Sequence, residues 1–233
     1  GLRATHQPSP WMRDYGDFSL MPMTGDVETD MAARGQSFSH DNESAHPYLY
    51  SVKLDNGIIA SLSPTMRCSH WRLEYPPNSA PKMVLDVHPK DGHVDIDIEG
   101  QKITGFTRSN SGGVPENFAG YFVIEFDAPL ANAGVWDASG MYDELTLKGE
   151  HIGAWIKFDS TNEPIDFRIG TSFISIEQAE RNLTQEIGIQ TFETTVERAK
   201  SRWLQELEKI DIEGATHDQA VTFYTAFYRA LLF

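Results

Sequence analysis

Apolar and polar residues alternate in short runs from residue 48 to residue 175, and this period of two predicts β-strands. The clearest pair of runs flanks Asp55-Asn56-Gly57. An Asn-Gly pair between two alternating runs indicates a β-hairpin, because both central turn residues can then adopt a positive φ. We therefore expect two antiparallel strands joined at these three residues.

Further strands are predicted between clusters of Gly, Pro, Asn and Asp. They cover residues 83–88, 94–98, 121–127, 151–158 and 165–174. No helical crossover follows any of them, which argues against a parallel α/β sheet. Short strands at this spacing are typical of an antiparallel β-sandwich. The fold class expected from the pattern is therefore mainly β.

After Ser175 the apolar period changes from two to 3.6, which predicts helices at 176–187 and 192–210. A third helix begins near Thr216 and carries apolar residues around most of its circumference, as in a helix buried on several sides. Nothing in 233 residues could bury it so completely, and no Gly, Asn or Pro ends it. We expect the natural polypeptide to continue into a helical domain.

The net charge limits which partners the chain can bind, and the cysteine count limits its cross-links. The chain has 34 acidic and 19 basic side chains and a formal charge of −15, which disfavours nucleic acid and anionic membranes. A neutral sugar is compatible with this charge. The single cysteine, Cys68, excludes an intrachain disulfide. No run approaches the roughly 20 apolar residues of a membrane span.

The stretch 5–16 has neither helix nor strand period and contains two prolines, several polar groups and Trp11. An indole face can stack on the apolar face of a pyranose while side chains such as His6, Gln7 and Asp14 bond its hydroxyls. This stretch is thus a candidate sugar contact. The alternative is a rigid loop in which Trp11 caps the sandwich core and His6 is only hydrogen-bonded.

Two acidic segments invite a ligand-binding interpretation. Asp95-Ile96-Asp97-Ile98-Glu99-Gly100 begins like an EF-hand loop, but its twelfth position is Phe106 instead of a bidentate Glu. Alternation predicts a strand there with its acids on a solvated face. A transition-metal site at His88 and His93 is a weaker alternative.

The second segment, residues 38–44, contains His40, Asp41 and Glu43, and we interpret it as an Asx-type turn, with a ligand-facing loop as the alternative.

The glycine-rich residues 109–113 lack the strand and helix that flank a phosphate-binding loop. Cys68 has no convincing histidine partner, which argues against a catalytic thiol.

Several longer motifs resemble those of a known enzyme family. The opening Gly1-Leu2-Arg3-Ala4-Thr5-His6-Gln7-Pro8-Ser9-Pro10-Trp11, with Asp14-Tyr15-Gly16-Asp17-Phe18-Ser19-Leu20-Met21-Pro22 after it, resembles glycoside hydrolase family 92, the calcium-dependent exo-acting α-mannosidases. The likeness continues along the chain at Phe38-Ser39-His40 with Glu43, Ile103-Thr104-Gly105-Phe106, Ser109-Asn110, Tyr121-Phe122-Val123, Ser172-Phe173-Ile174-Ser175-Ile176-Glu177-Gln178-Ala179 and Phe223-Tyr224-Thr225-Ala226.

The resemblance implies an architecture in which a large sandwich, a supersandwich, is joined by linker helices to an (α/α)6 barrel. On this basis residues 1–175 form the sandwich, 176–213 the helical linker and 214–233 the start of the catalytic barrel. The resemblance also implies a secreted, periplasmic or cell-surface bacterial enzyme.

The implied reaction is calcium-dependent inverting hydrolysis of a terminal α-linked mannose, α-1,2-linked, from a mannose-containing glycan. The barrel would supply the catalytic carboxylates and most of the calcium environment, leaving no catalytic or metal-binding residue in this chain. The implied contribution of the chain is a set of substrate contacts that face the leaving-group sugar: Arg3, His6, Gln7, Trp11 and Asp14. The expected partners are the glycan and the chain's own barrel, with no nucleic acid and no membrane span.

Three alternatives stay open. One is a carbohydrate-binding module with an exposed Trp11 or Trp136. Another is the sandwich of a different (α/α)6 enzyme, such as a disaccharide phosphorylase or a glucoamylase-like hydrolase. The third is a scaffold protein. Fold-level analogy alone does not separate them.

Overall fold

In a computed structural model, which describes residues 1–3, 18–87, 90–110, 112–159 and 163–232, strands come first and helices follow. The strands are β1 (Phe18–Met23), β2 (Phe38–His46), β3 (Leu49–Leu54), β4 (Ile59–Pro64), β5 (Cys68–Glu74), β6 (Lys82–Val87), β7 (Gly92–Asp97), β8 (Lys102–Thr107), β9 (Gly120–Phe126), β10 (Leu130–Asp137), β11 (Gly140–Tyr142), β12 (Thr146–Gly149), β13 (Ile152–Phe158) and β14 (Ile165–Ser172). The helices are α1 (Ile176–Glu186), α2 (Phe192–Leu207) and α3 (His217–Ala230).

The strands form two antiparallel sheets. One has the order β1-β6-β13-β10-β11 and the other the order β12-β7-β8-β9-β14-β5-β4-β3-β2. A single apolar core that includes Trp71, Phe122 and Phe167 lies between them, and these three side chains are fully buried. The predicted sandwich followed by helices is confirmed.

The hairpin predicted at Asp55-Asn56-Gly57 is confirmed, but its turn differs from the expected one. Gly57 has a φ of +88°, whereas the φ of Asn56 is not positive. Gly57 N donates to Leu54 O at 2.9 Å, and Ile58 N donates to the Asn56 side chain at 3.1 Å. This is a three-residue loop that ends in a left-handed glycine, so only one residue needs a positive φ.

The segment 38–44, interpreted from sequence as a turn, belongs to strand β2, which is the edge of the nine-stranded sheet. Its side chains are almost all exposed, so no apolar alternation marks it. Glu43 accepts hydrogen bonds from Tyr50 Oη at 2.7 Å and contacts His40 Nδ1 at 2.7 Å. The segment is therefore an irregular strand and not the predicted turn: Phe38 pairs with Leu54 and Glu43 with Val52, and the register shifts between these two pairs.

Two helices cover part of the outer face of the nine-stranded sheet. Helix α1 begins at the N-cap Ser175 and buries Ala179 and Leu183 over β9 and β14. Helix α2 begins at the N-cap Thr191 and buries Phe192 and Thr195 over β4 and β5. Both starts agree with the predicted positions.

Helix α3 begins after Thr216, whose side chain forms a capping box with Gln219. Trp203 of α2 contacts Tyr228 at 4.9 Å between ring centroids. None of the α3 side chains is buried in the described part of the chain, although the sequence pattern is that of a buried helix. No described helix has the length and apolarity that a membrane crossing requires.

Candidate functional site

The described residues on either side of the predicted sugar contacts lie at one place on the five-stranded sheet. Leu2 and Leu20 exchange two backbone hydrogen bonds of 2.8 Å, and Phe18 pairs with Val87 at the beginning of β1. Arg3 is exposed beside this pairing. The predictions on His6, Gln7, Trp11 and Asp14 lie outside the described residues. The described site is therefore the sheet surface at which this segment begins and ends.

A buried ion pair lies at this attachment point. Asp86 is the direct cross-strand neighbour of Ser19, and its Oδ2 accepts a hydrogen bond from Ser19 Oγ at 3.0 Å. The Arg34 guanidinium bonds the same oxygen, and the two charged side chains are 2% and 3% exposed. Asp86 Oδ1 has no hydrogen-bond partner among the described residues. Because a buried charge is costly without its partner, this pair ties β6 to the turn that carries Arg34, and Ser19 adds β1 to the contact.

The turn at residues 30–34 holds Arg34 in place. Asp30 Oδ1 accepts from Ala32 N at 3.0 Å and from Ala33 N at 2.8 Å, and Arg34 N donates to Asp30 O at 3.1 Å. A second guanidinium nitrogen of Arg34 donates to Thr29 O. Asp is suited to this role because its short side chain can accept bonds from the next backbone amides. The sequence reasoning missed Arg34 and Asp86, which lie in different elements.

An open depression of about 310 Å³ lies beside Arg34. Its polar lining comes from Thr24, Asp26, Glu28 and Gln36. Its volume is at the lower end of the range for small-molecule pockets. Residues 24–36, which form most of the lining, have no helix or strand period in the sequence. Their acidic residues are the one sequence signal that could have indicated a site here.

Two tryptophans of the five-stranded sheet, Trp136 and Trp155, each pack against a glycine on the neighbouring strand. Trp136 pairs with Gly153 across β10 and β13, and Trp155 pairs with Gly134 two residues further along. The indole nitrogen of Trp136 donates to Leu85 O at 3.1 Å, and that of Trp155 donates to Tyr142 O at 3.1 Å. Trp136 is only 9% exposed. The suggestion that Trp136 is an exposed sugar platform was wrong, because its ring fills the space above a glycine.

The acidic strand behaves as the alternation predicted. Asp95 and Asp97 are exposed on β7, and Val94 and Ile96 are buried on its other face. His93 Nε2 lies 3.2 Å from Thr146 Oγ1, and His88 lies outside the described residues. Within the described ranges, no three His, Cys, Asp or Glu side chains are grouped so that they could hold a metal ion.

Cys68 is the first residue of β5 and is buried against helix α1. Burial, with the negative charge of Glu186 nearby, raises the pKa of its thiol to about 12. A thiol with such a pKa is almost entirely protonated at neutral pH, so it is a poor nucleophile. This environment agrees with the sequence argument against a catalytic thiol.

The junction between α2 and the nine-stranded sheet is polar, which the sequence reasoning missed. Arg72 on β5 binds Asp166 on β14 through two hydrogen bonds of 2.7 Å and also pairs with Glu193 of α2. The hydrogen bond from Arg72 to Glu193 lowers the pKa of the Glu193 carboxyl. The arrangement fastens the start of α2 to two strands.

Comparisons with known proteins agree with this architecture. The model of the glycosyl hydrolase family 92 N-terminal domain matches residues 1–172, and that of the family 92 catalytic domain matches residues 178–233.

Three relatives cover nearly the whole chain. A family 92 inverting mannosidase from Bacteroides thetaiotaomicron superposes with a TM-score of 0.96 at 37% identity, over 100% of this chain and 32% of that one. A family 92 α-mannosidase from the same organism gives a TM-score of 0.82 at 24% identity, over 91% and 31%. An uncharacterised secreted glycosidase from Arthroderma benhamiae is 24% identical over 93% of this chain and 33% of its own length.

The chain thus spans about a third of the length of the proteins it matches. The family assignment rests on the N-terminal-domain model, which accounts for most of the sequence. Because this model covers 172 of 233 residues and the catalytic-domain model covers most of the rest, the chain belongs to glycosyl hydrolase family 92.

Proposed function

We propose that this chain is the sandwich domain, linker and first catalytic-domain helix of a secreted or periplasmic enzyme that removes terminal α-linked mannose from glycans. The proposed boundaries are 1–175, 176–213 and 214–233. The observation that carries the proposal is the similarity along the entire chain to an inverting mannosidase, at 37% identity and a TM-score of 0.96. The relative from Arthroderma, described as secreted, supports the proposed location.

The proposed reaction is inverting hydrolysis of an α-1,2-linked mannoside. One carboxylic acid protonates the leaving oxygen and a second activates water on the opposite face, with the two carboxyl groups about 6.5–9.5 Å apart. Three described acids at element junctions, Asp86, Asp166 and Glu186, are instead bonded to arginines. From the resemblance to family 92, we assign both catalytic carboxylates to the part of the enzyme that follows α3.

Calcium is assigned to that same part. The described acids do not gather into a group of three or more that fits a metal ion, and calcium requires six to eight oxygen ligands. No step of the proposed mechanism uses a calcium ion held by the described residues of this chain.

The proposed contribution of the chain to the substrate pocket is the segment with Arg3, His6, Gln7, Trp11 and Asp14, which would face the leaving-group sugar. The pairing of Leu2 with Leu20 and the buried pair of Asp86 with Arg34 support this role, since they fix the strands at which the segment begins and ends. A contact surface needs such support to keep its geometry when a glycan binds.

The full-length enzyme should release mannose from α-1,2-linked mannobiose, and the 233-residue chain should release none. A chelator should abolish the release and added calcium should restore it. The anomeric configuration of the first product, measured by NMR, distinguishes inversion from retention. Cleavage or phosphorolysis of a glucoside in place of mannoside hydrolysis would contradict the proposed substrate, and glycan binding without turnover would favour the binding-module alternative.

Replacing Trp11 with alanine in the full-length enzyme should reduce kcat/KM on the mannobiose roughly tenfold, which corresponds to about 1.4 kcal/mol of lost stacking. Trp11→Phe is the matched control, because it keeps an aromatic face and should lose less activity. Both variants should unfold at the temperature of the parent. An unchanged kcat/KM in Trp11→Ala would remove Trp11 from the substrate contacts.

A further inference from the structure

A histidine lies buried where helix α2 meets the nine-stranded sheet. His70 is on β5, between Ser63 of β4 and Arg168 of β14, and has no solvent exposure. Its ring contacts Phe192 edge to face at 5.5 Å between centroids. Its Nδ1 lies 2.9 Å from Thr195 Oγ1 on α2. The imidazole is therefore part of the surface on which the first turns of α2 rest.

The hydrogen bonds around Thr195 assign the proton on this ring. Thr195 Oγ1 also lies 3.3 Å from Thr191 O, to which it donates its own hydrogen. With that hydrogen on Thr191 O, Thr195 Oγ1 accepts from His70 Nδ1, and we assign the imidazole proton to Nδ1 and the lone pair to Nε2. In either tautomer, a doubly protonated ring carries a hydrogen on Nε2. His70 Nε2 is buried without a hydrogen-bond partner in the described part of the chain. A second proton on Nε2 would have no acceptor there.

Four charged groups act on the ring, two of each sign. Asp166 and Glu193 favour a second proton, and Arg72 and Arg168 oppose it. Both acids are already bonded to Arg72, which weakens their attraction for a charged imidazole. Burial is the largest effect, and it lowers the pKa of His70 to about 4 from its ordinary 6.5.

We propose that His70 makes the docking of α2 on the sheet sensitive to acid, since a second proton on Nε2 can be solvated only when the start of α2 moves away. A folded-state pKa below the ordinary value means that the docked state binds fewer protons than the open state. Docking is then at full strength above about pH 6.5 and weakens as the pH falls toward 4. Because α2 leads to α3, the same protonation loosens the connection between sandwich and catalytic domain.

Hydrogen–deuterium exchange of the full-length protein tests this proposal. After correction for intrinsic exchange, the opening equilibrium of amides in the first half of α2 should rise roughly 30-fold from pH 8 to pH 5. Helix α1 is the internal control, because it packs on the same sheet without a histidine in the contact, and its opening should rise much less.

His70→Asn is the matched variant, since its amide nitrogen can replace Nδ1 as the donor to Thr195 but cannot titrate. It should reduce the pH-dependent rise in α2 to less than about threefold, even though Asp127 and the other neighbouring acids still titrate. An equal rise in the variant and in the parent overturns the proposal. If the variant does not fold, a parent protein in which α1 and α2 open equally with acid overturns it as well.

Discussion

Changing Asp86 to alanine should lower the free energy of unfolding of this chain by about 3–5 kcal/mol, because the Arg34 charge then stays buried without its partner. Arg34 is 2% exposed, so its charge is almost completely withdrawn from water in the folded chain. Urea denaturation followed by tryptophan fluorescence measures the change. Asp95→Ala is the control, since Asp95 is exposed on β7 and should change stability by less than about 0.5 kcal/mol.

A double variant distinguishes the contribution of the ion pair to the free energy of unfolding from that of side-chain packing. Asp86→Ala combined with Arg34→Met removes both charges, so it should cost clearly less than the sum of the two single changes. Additive losses would mean that the two side chains act independently, in contradiction to the buried contact between them.

The second large effect is expected at Gly153. An alanine Cβ at this position would overlap the carbonyl oxygen of Leu85 and lie 2.5 Å from the indole of Trp136. Since backbone on one side and a packed ring on the other leave no space, Gly153→Ala should cost about 3 kcal/mol and displace the Trp136 ring. Urea denaturation and near-UV circular dichroism report the two effects.

Gly149→Ala is the matched control, because the nearest atom to its added Cβ would be Ile152 Cγ2 at 3.5 Å, an ordinary contact. It should change the free energy of unfolding by less than about 1 kcal/mol. Equal costs for the two substitutions would show that the close packing of Trp136 on Gly153 does not limit stability.

The sequence pattern predicted the elements whose signals are local. The hairpin at Gly57 and the starts of α1 and α3 depend on residues next to one another, such as the caps Ser175 and Thr216. Strand β5 was missed because both of its faces are covered, so that Ser69 and His70 are buried beside Trp71 and no alternation appears. Strand β2 was missed for the opposite reason, since nearly all of its side chains are exposed.

The polar contacts that organise the candidate site could not be predicted from sequence. Arg34 meets Asp86, and His70 meets Thr195, only after distant strands and helices have packed together. A single sequence contains no local signal for such partners. The family resemblance supplied the substrate contacts Arg3, His6, Gln7, Trp11 and Asp14, and their role stays a prediction.

The strand order has a consequence for how the chain is made. Strand β6 pairs with β1 on one side and with β13 on the other, and β5 pairs with β14, which begins at Ile165. The ribosome synthesises the chain from its N-terminus. The edge of β6 that pairs with β13, and the edge of β5 that pairs with β14, therefore stay unpaired until most of the sandwich has been synthesised. Long-range pairing of this kind folds slowly, so the free edges of β5 and β6 stay available for wrong pairing with other chains until β13 and β14 have been synthesised.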